Sequence, residues 1–377
     1  MTLPIKEIIA TLPSLSLTVE AHGLMAKKAL GQNFLLDGNI TDKIINLSLQ
    51  KQEKTGYNKD NVYEVGPGPG GLTRAVLSRN PQKLTVVEMD NRCIAIMEDI
   101  KSKVGDKLHI INGDALQQNF AAMDSAPRHI VSNLPYNISV PLLVNWLKTI
   151  HSYQSLTLMF QKEVAERIMA PINSKDYGRI SILSQLTCKI DKLLDLNPNC
   201  FTPAPKIWSS VLLFRPLERE LTDKQLKNIE HLTTLAFGQR RKTIRQSLKL
   251  IPNLGEKLEK LGISETVRAE NITPEQYLQY HIFKSRYINY TVCALVSVPY
   301  SMSYRYFSVD SYSTVLTHDQ FLADSGQKAS RLFYLFDTPN RKAETSAERY
   351  LKRQTSVPAS ELSFDSRASQ RASLNSF

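Results

Sequence analysis

The stretch EVGPGPGG at residues 64–71 follows a short apolar run and precedes an amphipathic segment. Gly66, Gly68 and Gly71 fit the pattern G-x-G-x-x-G, in which glycine lets the backbone approach a ligand at the N-terminus of a helix. A tight turn between a strand and a helix that binds no ligand can contain the same residues, so the pattern alone is ambiguous. It predicts a strand, a turn and a helix, which is the first unit of an open α/β sheet.

Short apolar runs alternate with amphipathic stretches from residue 62 to about residue 217. Strands that alternate with helices indicate an α/β fold with a parallel, doubly wound sheet. The predicted strands are Val62–Val65, Leu84–Glu88, Leu108–Ile111, His129–Ser132, Leu156–Phe160 and Val211–Phe214. The predicted helices around and between them are Ile40–Leu49, Leu72–Leu77, Arg92–Val104 and Pro141–Ile150.

Acidic residues follow two of the predicted strands. Glu88 ends the second strand, 22 residues after Gly66, where a carboxylate can accept both hydroxyls of a ribose. Asp114 follows the third strand and can accept from an adenine amine, although a solvated strand end and a helix cap would explain the two acids without a ligand. Their recurrence at successive strand ends favours a dinucleotide or an S-adenosylmethionine site. Pro67 and Pro69 remove amide donors that would cradle a pyrophosphate, which favours S-adenosylmethionine.

The tetrapeptide NLPY at residues 133–136 directly follows the fourth predicted strand. The carboxyl ends of parallel strands are the edge at which such sheets bind ligands. Asn133 offers an amide oxygen, Leu134 a backbone carbonyl and Tyr136 a flat ring, although a tyrosine here could also belong to the core. Two acceptors beside an aromatic ring suit the exocyclic amine of a stacked nucleobase. The tetrapeptide therefore predicts chemistry on a base.

The composition favours a polyanionic partner. The formal charge is +11 and the pI is about 9.3, a balance typical of nucleic-acid binding but also of solvated lysine-rich surfaces. No apolar run approaches the ~18 residues of a membrane span, and the first residues resemble neither a secretory signal nor a transit peptide. The four cysteines are far apart and predict neither a disulfide framework nor a zinc site. We expect a cytoplasmic protein with no metal and no membrane partner.

Strand signals stop after Pro216. Within the stretch QRRKTIRQSLK at residues 239–249, a helix would place Arg241, Arg245 and Lys249 on one face, where they could follow a phosphate backbone or simply be solvated. The predicted helices of this region are Thr222–Phe237, Lys242–Leu250, Gly255–Leu261 and Pro274–Phe283.

Six motifs in chain order resemble those of the ribosomal small-subunit RNA adenine dimethyltransferases of the KsgA/RsmA type. They are ALGQNFL at 29–35, EVGPG at 64–68, NLPYNIS at 133–139, QKEV at 161–164, FTPAPK at 201–206 and FGQRRKTIR at 237–245, and RAEN at 268–271 also matches. The resemblance covers roughly residues 25–284. One departure is visible, since Trp208 stands where the family usually has an acid.

The resemblance implies a Rossmann-like class I methyltransferase sheet followed by a small helical domain. It implies dimethylation of the N6 amines of two adjacent adenosines near the 3′ end of small-subunit ribosomal RNA, with S-adenosyl-L-methionine as cofactor. The implied partner is that RNA within a pre-assembled small subunit, during ribosome biogenesis, and we expect a monomer. The predicted domains are an N-terminal extension (1–25), the methyltransferase domain (26–217), a helical RNA-binding domain (218–284) and a partly disordered, dispensable tail (285–377).

The resemblance also implies a role for individual residues. The cofactor-binding set is Asn33, Leu35, Gly66, Gly68, Glu88, Asp114 and Asn133. The target-base set is Asn133, Leu134 and Tyr136, with Phe201 either a second stacking face or a structural aromatic. The RNA-binding set is Lys27, Lys28, Arg240, Arg241, Lys242, Arg245 and Lys249.

Three other interpretations of the sequence compete with a small-subunit RNA dimethyltransferase. An antibiotic-resistance methyltransferase of large-subunit RNA shares the Asn-x-Pro-Tyr element, but the basic helix favours the small-subunit type. A binding factor that keeps the fold without catalysis would not need intact Glu88, Asp114 and Asn133. A nicotinamide dehydrogenase built on the glycine loop would have no use for the NLPY tetrapeptide.

Overall fold

The computed structural model describes residues 3–24, 32–124 and 127–280, all of which lie in one compact unit. The predicted tail at 285–377 lies outside the described residues, as do Lys27 and Lys28. The predicted domain boundary between residues 217 and 218 stays a prediction. Apolar side chains from both sides of this boundary belong to one core cluster.

The centre of the fold is a mixed sheet of seven strands. They are β2 (Asn61–Val65), β3 (Lys83–Glu88), β4 (Leu108–Asn112), β5 (Arg128–Asn133), β6 (Ser155–Gln161), β7 (Cys188–Leu196) and β9 (Ser209–Pro216). Their order is β4-β3-β2-β5-β6-β9-β7, in which β2 to β6 run parallel and β9 pairs antiparallel with both β6 and β7. The doubly wound prediction is confirmed.

The sequence missed three strands. Strand β7 is the outer strand of the sheet, and most of its residues are partly or fully exposed. Its charged residues interrupt the apolar run that marks a buried strand. The other two are the short strands β1 (Phe34–Leu35) and β8 (Phe201–Thr202), which form a separate antiparallel pair.

The helices surround the sheet. Those of the first part are α1 (Ile5–Ala10), α2 (Leu15–Ala21), α3 (Gly38–Lys51), α4 (Gly71–Leu77), α5 (Asn91–Val104), α6 (Ser139–Lys148), α7 (Lys162–Met169) and α8 (Arg179–Thr187). The last four are α9 (Asp223–Gly238), α10 (Ile244–Ser247), α11 (Leu254–Lys260) and α12 (Pro274–Tyr280). The predicted helices are present, but α10 is much shorter than the expected Lys242–Leu250, and the last three residues of the expected Pro274–Phe283 lie outside the described residues.

Alternate residues of the strands enter two apolar clusters. Val62 and Leu84 belong to a cluster with α3, α4 and α5, whereas Tyr63 and Val87 belong to one with α6, α8 and the last four helices. Successive side chains of a strand point to opposite faces, so each cluster covers one face of the sheet. Helices α1 and α2 add to the first cluster, and the Arg74 guanidinium of α4 bonds to the Thr18 hydroxyl of α2 at 3.0 Å.

A buried polar network lies at the amino ends of β2, β5 and β6. The Asp60 carboxylate accepts from His129 Nε2 at 3.1 Å and from Lys54 Nζ at 2.8 Å. The other ring nitrogen of His129 lies 2.8 Å from the Ser155 hydroxyl. Burial lowers the pKa of His129 below its ordinary value, and the Lys54 charge lowers it further. Burial alone would raise the pKa of Asp60, but its bonds to His129 and Lys54 lower it on balance.

We expect the free energy of unfolding to fall as the pH drops through 6.5, the ordinary pKa of histidine. Below that pH the unfolded chain binds a proton on His129 that the folded chain takes up only at lower pH, so acid favours unfolding. Urea unfolding of the wild type and of His129→Gln between pH 8 and pH 5 measures this contribution. The same change at His109, an exposed position at the surface of β4, is the control. Equal pH dependence in the wild type and His129→Gln would contradict the prediction.

Candidate active site

A cleft of about 290 Å³ opens at the carboxyl ends of β2, β3, β4 and β5. This is the edge at which an open α/β sheet binds ligands. All seven residues of the cofactor-binding set line the cleft, as do Leu134 and Tyr136. The structure thus brings together residues that are up to 103 positions apart, from Asn33 to Tyr136.

The glycine loop needs its glycines for two different reasons. Gly66 and Gly68 have φ angles of 67° and 54°, in the left-handed region that glycine adopts without steric cost. A Cβ atom on Gly68 would also lie 3.1 Å from the ring of Phe34. A Cβ atom on Gly71 would lie 2.9 Å from the Leu35 carbonyl oxygen. The loop therefore makes a tight turn in direct contact with β1.

Glu88 ends β3 with its carboxylate fixed at the cleft. Its Oε1 atom accepts from the backbone amides of Met89 at 2.8 Å and Asp90 at 2.9 Å. Burial raises the pKa of Glu88, and these amide bonds lower it in part. The Gly68 backbone also bonds to this carboxylate, so the glycine loop and the end of β3 together hold an acceptor group at the cleft.

Gln32 was missed by the sequence reasoning. Its side-chain amide donates to Asp90 Oδ2 at 3.1 Å and it lines the cleft. The Arg92 guanidinium binds the same carboxylate at 2.6 Å and holds the pKa of Asp90 well below its usual range. Gln32 thereby links the residues just before β1 to the end of the sheet beside Glu88. Its place in the ALGQNFL motif was the available signal.

Asp114 caps a short turn and also lines the cleft. Its Oδ1 atom accepts from the Leu116 amide at 2.9 Å and caps a short 3-10 turn at Ala115–Gln117. The residue also lines the cleft. Capping occupies one carboxylate oxygen, so the other is available to a ligand.

Glu64 is a second residue that the sequence reasoning did not select. Its carboxyl group is 2% exposed, lines the cleft and accepts from the Thr73 hydroxyl at 2.7 Å. Burial raises the pKa of Glu64 to about 8, with a further contribution from the charge of Glu88, against the lowering effect of the Thr73 bonds. The group therefore favours its protonated, neutral form at pH 7.

We expect Glu64→Gln to stabilise the free protein more at pH 8 than at pH 5. The raised pKa of Glu64 means that the folded chain binds a proton that the unfolded chain releases above about pH 4.5, so the wild type loses stability as the pH rises toward 8. Glutamine removes this cost. Thermal unfolding of both proteins at the two pH values measures the difference, with Glu98→Gln on the exposed face of α5 as control. A variant that is less stable at pH 8 than the wild type would contradict the prediction.

Asn133 ends β5 in an oriented position. Its side-chain nitrogen donates to the Asn33 carbonyl at 3.3 Å, which leaves the amide oxygen as the free acceptor. The preceding Ser132 hydroxyl donates to the Val65 carbonyl at 2.6 Å and fixes the strand end to β2. Leu134 is 2% exposed, belongs to the core cluster that includes α6 and α8, and also lines the cleft.

Tyr136 lies on the side of the cleft toward β9. Its hydroxyl oxygen is 2.8 Å from the Ser209 hydroxyl, and its backbone carbonyl accepts from Ser139 at 3.0 Å. Burial raises the pKa of Tyr136, so the phenol stays neutral. The residue is partly exposed, and both its hydroxyl group and its backbone are held by hydrogen bonds.

Phe201 is a core residue that does not itself line the cleft. It is 4% exposed, belongs to the core cluster of α3 to α5 and is not among the residues that line the cleft. Its register partner in β1 is Leu35. This geometry favours the structural interpretation of Phe201, and a stacking role stays a prediction.

Residues 240–249 do not form one helix. Thr243 makes a β-bridge with Arg268, and the Ile244 amide donates to the Val267 carbonyl at 2.6 Å. These contacts to the segment before α12 replace bonds to a preceding helical turn, so the helix covers only Ile244–Ser247. The sequence predicted that Arg241, Arg245 and Lys249 share one face of a longer helix. That prediction is therefore wrong.

The basic residues of this region differ in their contacts. Arg240 bonds to the Glu270 carboxylate at 3.0 Å and to the Tyr177 carbonyl at 2.9 Å, so it holds the helical region to the loop before α8. Arg245 pairs with Glu265 at 2.9 Å but is largely exposed. The remaining three are also exposed: Arg241, Lys242 and Lys249.

The described part of the chain contains neither a cluster suited to a metal ion nor a helix suited to span a membrane. Among residues 3–24, 32–124 and 127–280, no cluster of three or more histidine, cysteine, aspartate and glutamate side chains is arranged to hold a metal ion. Within the same part of the chain, no helix is both long and apolar enough to cross a membrane.

Comparison with known proteins agrees with this geometry. Residues 23–285 match the family described as ribosomal RNA adenine dimethylase. The chain is 40% identical over 274 residues to the ribosomal RNA small subunit methyltransferase A of Rhodospirillum rubrum, which is 73% of this chain and 90% of that protein. It is 44% identical over 278 residues to the protein of the same name from Mesorhizobium japonicum, 71% of this chain and 96% of that one.

Two solved structures are similar as well. A dimethyladenosine transferase from Plasmodium falciparum superposes with a TM-score of 0.56 at 27% identity, over 65% of this chain and 95% of that chain. The 23S rRNA methyltransferase ErmE superposes with a TM-score of 0.50 at 23% identity, over 66% and 98% of the two chains, and supports the fold alone. With a family match over residues 23–285 and relatives that are 40% and 44% identical over 90% and 96% of their own length, this chain is a member of the ribosomal RNA adenine dimethylase family.

Proposed function

We propose that this protein dimethylates the N6 amines of two adjacent adenosines near the 3′ end of small-subunit ribosomal RNA, with S-adenosyl-L-methionine as methyl donor. The observation that carries the proposal is the position of Asn133. Its oriented amide oxygen lies at the end of β5, beside the Leu134 backbone and the Tyr136 ring, in the cleft that also contains Glu88 and Asp114. The names of the bacterial relatives support the small subunit as substrate.

The hydrogen-bond acceptors of the cleft fit S-adenosylmethionine. Glu88 has a carboxylate oxygen for the ribose hydroxyls, and Asp114 has one for the adenine amine. The glycine loop is open to close approach at Gly66 and Gly68, where backbone rather than side chain forms the wall. When bound there, the cofactor supplies a methyl group on a positively charged sulfur, which leaves as a neutral thioether.

The residues at the end of β5 would prepare the target amine. An adenine amine is a poor nucleophile because its lone pair is delocalised into the ring. If the Asn133 amide oxygen and the Leu134 carbonyl accept its two N–H bonds, the nitrogen is held closer to a tetrahedral geometry and its lone pair is exposed. Such positioning can supply several kcal/mol of the barrier. Because the thioether would leave neutral, the methylated nitrogen would carry the positive charge and release one of its protons to water after the transfer, so no strong base is required.

The second methylation makes a further demand on the same residues. A monomethyl amine has one N–H left, so it keeps only one of the two hydrogen bonds. Stacking on Tyr136 would then hold the base, at about 1–3 kcal/mol for an aromatic contact of this kind. The adenosine must leave its own stack to enter the cleft.

RNA would be held by the basic surface of the helical region. Arg241, Lys242 and Lys249 are exposed, and Arg245 can exchange its partner Glu265 for a phosphate. Arg240 is committed to Glu270, so its proposed RNA contact requires that this ion pair open. Lys27 and Lys28 complete the proposed set. Contacts of this kind position the RNA without specifying the base.

We further propose that the enzyme works as a cytoplasmic monomer on pre-assembled small subunits. The test is to incubate it with labelled S-adenosylmethionine and unmethylated small subunits, then to map modified nucleosides by mass spectrometry. Dimethyladenosine at two adjacent positions near the 3′ end supports the proposal. Transfer to large-subunit RNA instead would favour the resistance-type activity, and cofactor binding without any transfer would favour a non-catalytic binding factor.

A further inference from the structure

We propose that Trp208 and Lys162 form a stacking platform for the nucleobase next to the adenosine that occupies the cleft. The inference rests on the proposed function, because it requires an RNA strand whose target base is extruded. It adds a binding subsite on a second strand of the sheet, outside the residues that line the cleft. Trp208 is the position at which the sequence departs from the family it resembles.

The platform is next to the target-base site. Trp208 directly precedes Ser209, whose hydroxyl is 2.8 Å from the hydroxyl of Tyr136. Strand β9 begins at Ser209 and pairs there with Gln161 at the end of β6, and β6 is the neighbour of β5, which ends at Asn133. Strand β5 carries the target-base site and strand β9 follows Trp208. These two strands are two strand spacings apart, roughly 10 Å. An extended RNA strand bridges such a distance with one or two nucleotides.

Trp208 is unusually exposed. Its side chain is 45% exposed, and it is the only exposed phenylalanine, tryptophan or tyrosine in the described ranges 3–24, 32–124 and 127–280. Water contact with a large apolar ring is unfavourable. An exposed aromatic beside a binding cleft is typical of a surface that a partner covers.

The ring is already held in place in the free protein. The Lys162 ammonium lies 5.8 Å from the centroid of the Trp208 ring, within the range of a cation–π contact. The Lys162 backbone amide donates to the Trp208 carbonyl at 2.8 Å. The ammonium group is also 3.9 Å from the Asp195 carboxylate. A ring fixed in this way loses little conformational freedom when a base stacks on it.

The charges near the ring favour a nucleic acid as the occupant. Lys162 is partly exposed, Lys206 is exposed two residues before Trp208, and both could meet the phosphates on either side of a stacked base. Stacking on an aromatic side chain is tolerant of base identity because every base has a π face. The platform would therefore strengthen RNA binding and orient the strand without choosing the adenosine.

The test compares steady-state methylation of small subunits by the wild type and by Trp208→Ala, Trp208→Phe and Lys162→Met. We expect Trp208→Ala to raise the KM for subunits about tenfold, with kcat within about twofold and the dissociation constant for S-adenosylmethionine unchanged. Trp208→Phe should recover most of the loss, and Lys162→Met should show a smaller increase in KM. Leu17→Ala, at an exposed position on α2, is the control.

Ultraviolet cross-linking of the enzyme to small subunits gives an independent readout. We expect a peptide that contains Trp208 to be joined to a nucleotide next to one of the dimethylated adenosines. A wild type that methylates small subunits, together with a Trp208→Ala variant whose KM equals that of the wild type, would overturn the platform and leave the proposed function standing. A wild type that methylates no RNA would overturn both.

Discussion

Asn133→Ala is expected to lower kcat for methylation of small subunits by about 10²–10³-fold, the cost of removing one preorganised hydrogen-bonding group from an active site. The amide oxygen is held in place by the bond from its own nitrogen to the Asn33 carbonyl, so alanine removes both the acceptor and the contact to β1. Because Asn133 also lines the part of the cleft assigned to the cofactor, a weaker affinity for S-adenosylmethionine should accompany the loss.

Single-turnover assays at saturating cofactor would separate these two effects. Asn112→Ala is the matched control, since Asn112 also ends a parallel strand but is exposed and does not line the cleft. It should methylate at the wild-type rate. If Asn133→Ala retained more than about a tenth of the wild-type rate under saturation, the amine would have to be positioned by other groups.

Glu88→Gln is expected to weaken binding of S-adenosylmethionine by about 10²-fold. A hydrogen bond to a charged group contributes about 1.5–3 kcal/mol, which is a factor of about 10–150. Glutamine keeps the size of the side chain but replaces one acceptor by a donor. It also loses the charge that two backbone amides hold at the end of β3. The ribose hydroxyls would then face an amide group in place of a carboxylate.

Isothermal titration of the variant with S-adenosylmethionine and with the demethylated product would measure the change. Glu98→Gln on α5 makes the same chemical substitution at an exposed position and should bind both ligands as the wild type does. Equal loss for both ligands is expected, because the ribose is common to them. A Glu88→Gln variant with unchanged affinity would remove Glu88 from the cofactor site.

The sequence predicted the part of the fold that depends on local patterns. Strand β5 and the strands beside it are short apolar runs, and their parallel order places Glu88, Asp114 and Asn133 at one edge of the sheet. Burial on both faces gives such strands a continuous apolar signal. The cleft could therefore be anticipated from the spacing of polar residues behind those runs.

Other features depend on contacts between distant segments, which no local pattern reports. The 240–249 region contains good helix-forming residues, but its amides bond to residues 265–268 and the helix stops after one turn. Gln32 meets Asp90 across 58 positions. Phe201 enters the core through its pairing with Leu35. In each case tertiary contacts override or supplement a local preference.

The Asp60–His129 network lies at the opposite end of the strands whose carboxyl ends form the cleft. Strand β2 runs from beside Asp60 to Val65 and the glycine loop, and β5 runs from beside His129 to Asn133. A genetic screen for loss of methylation should therefore recover two classes of mutant. Substitutions in the network would reduce the amount of folded enzyme that a cell retains and would be rescued at low temperature. Substitutions at the cleft would leave the amount of enzyme normal and its methylation defective at every temperature.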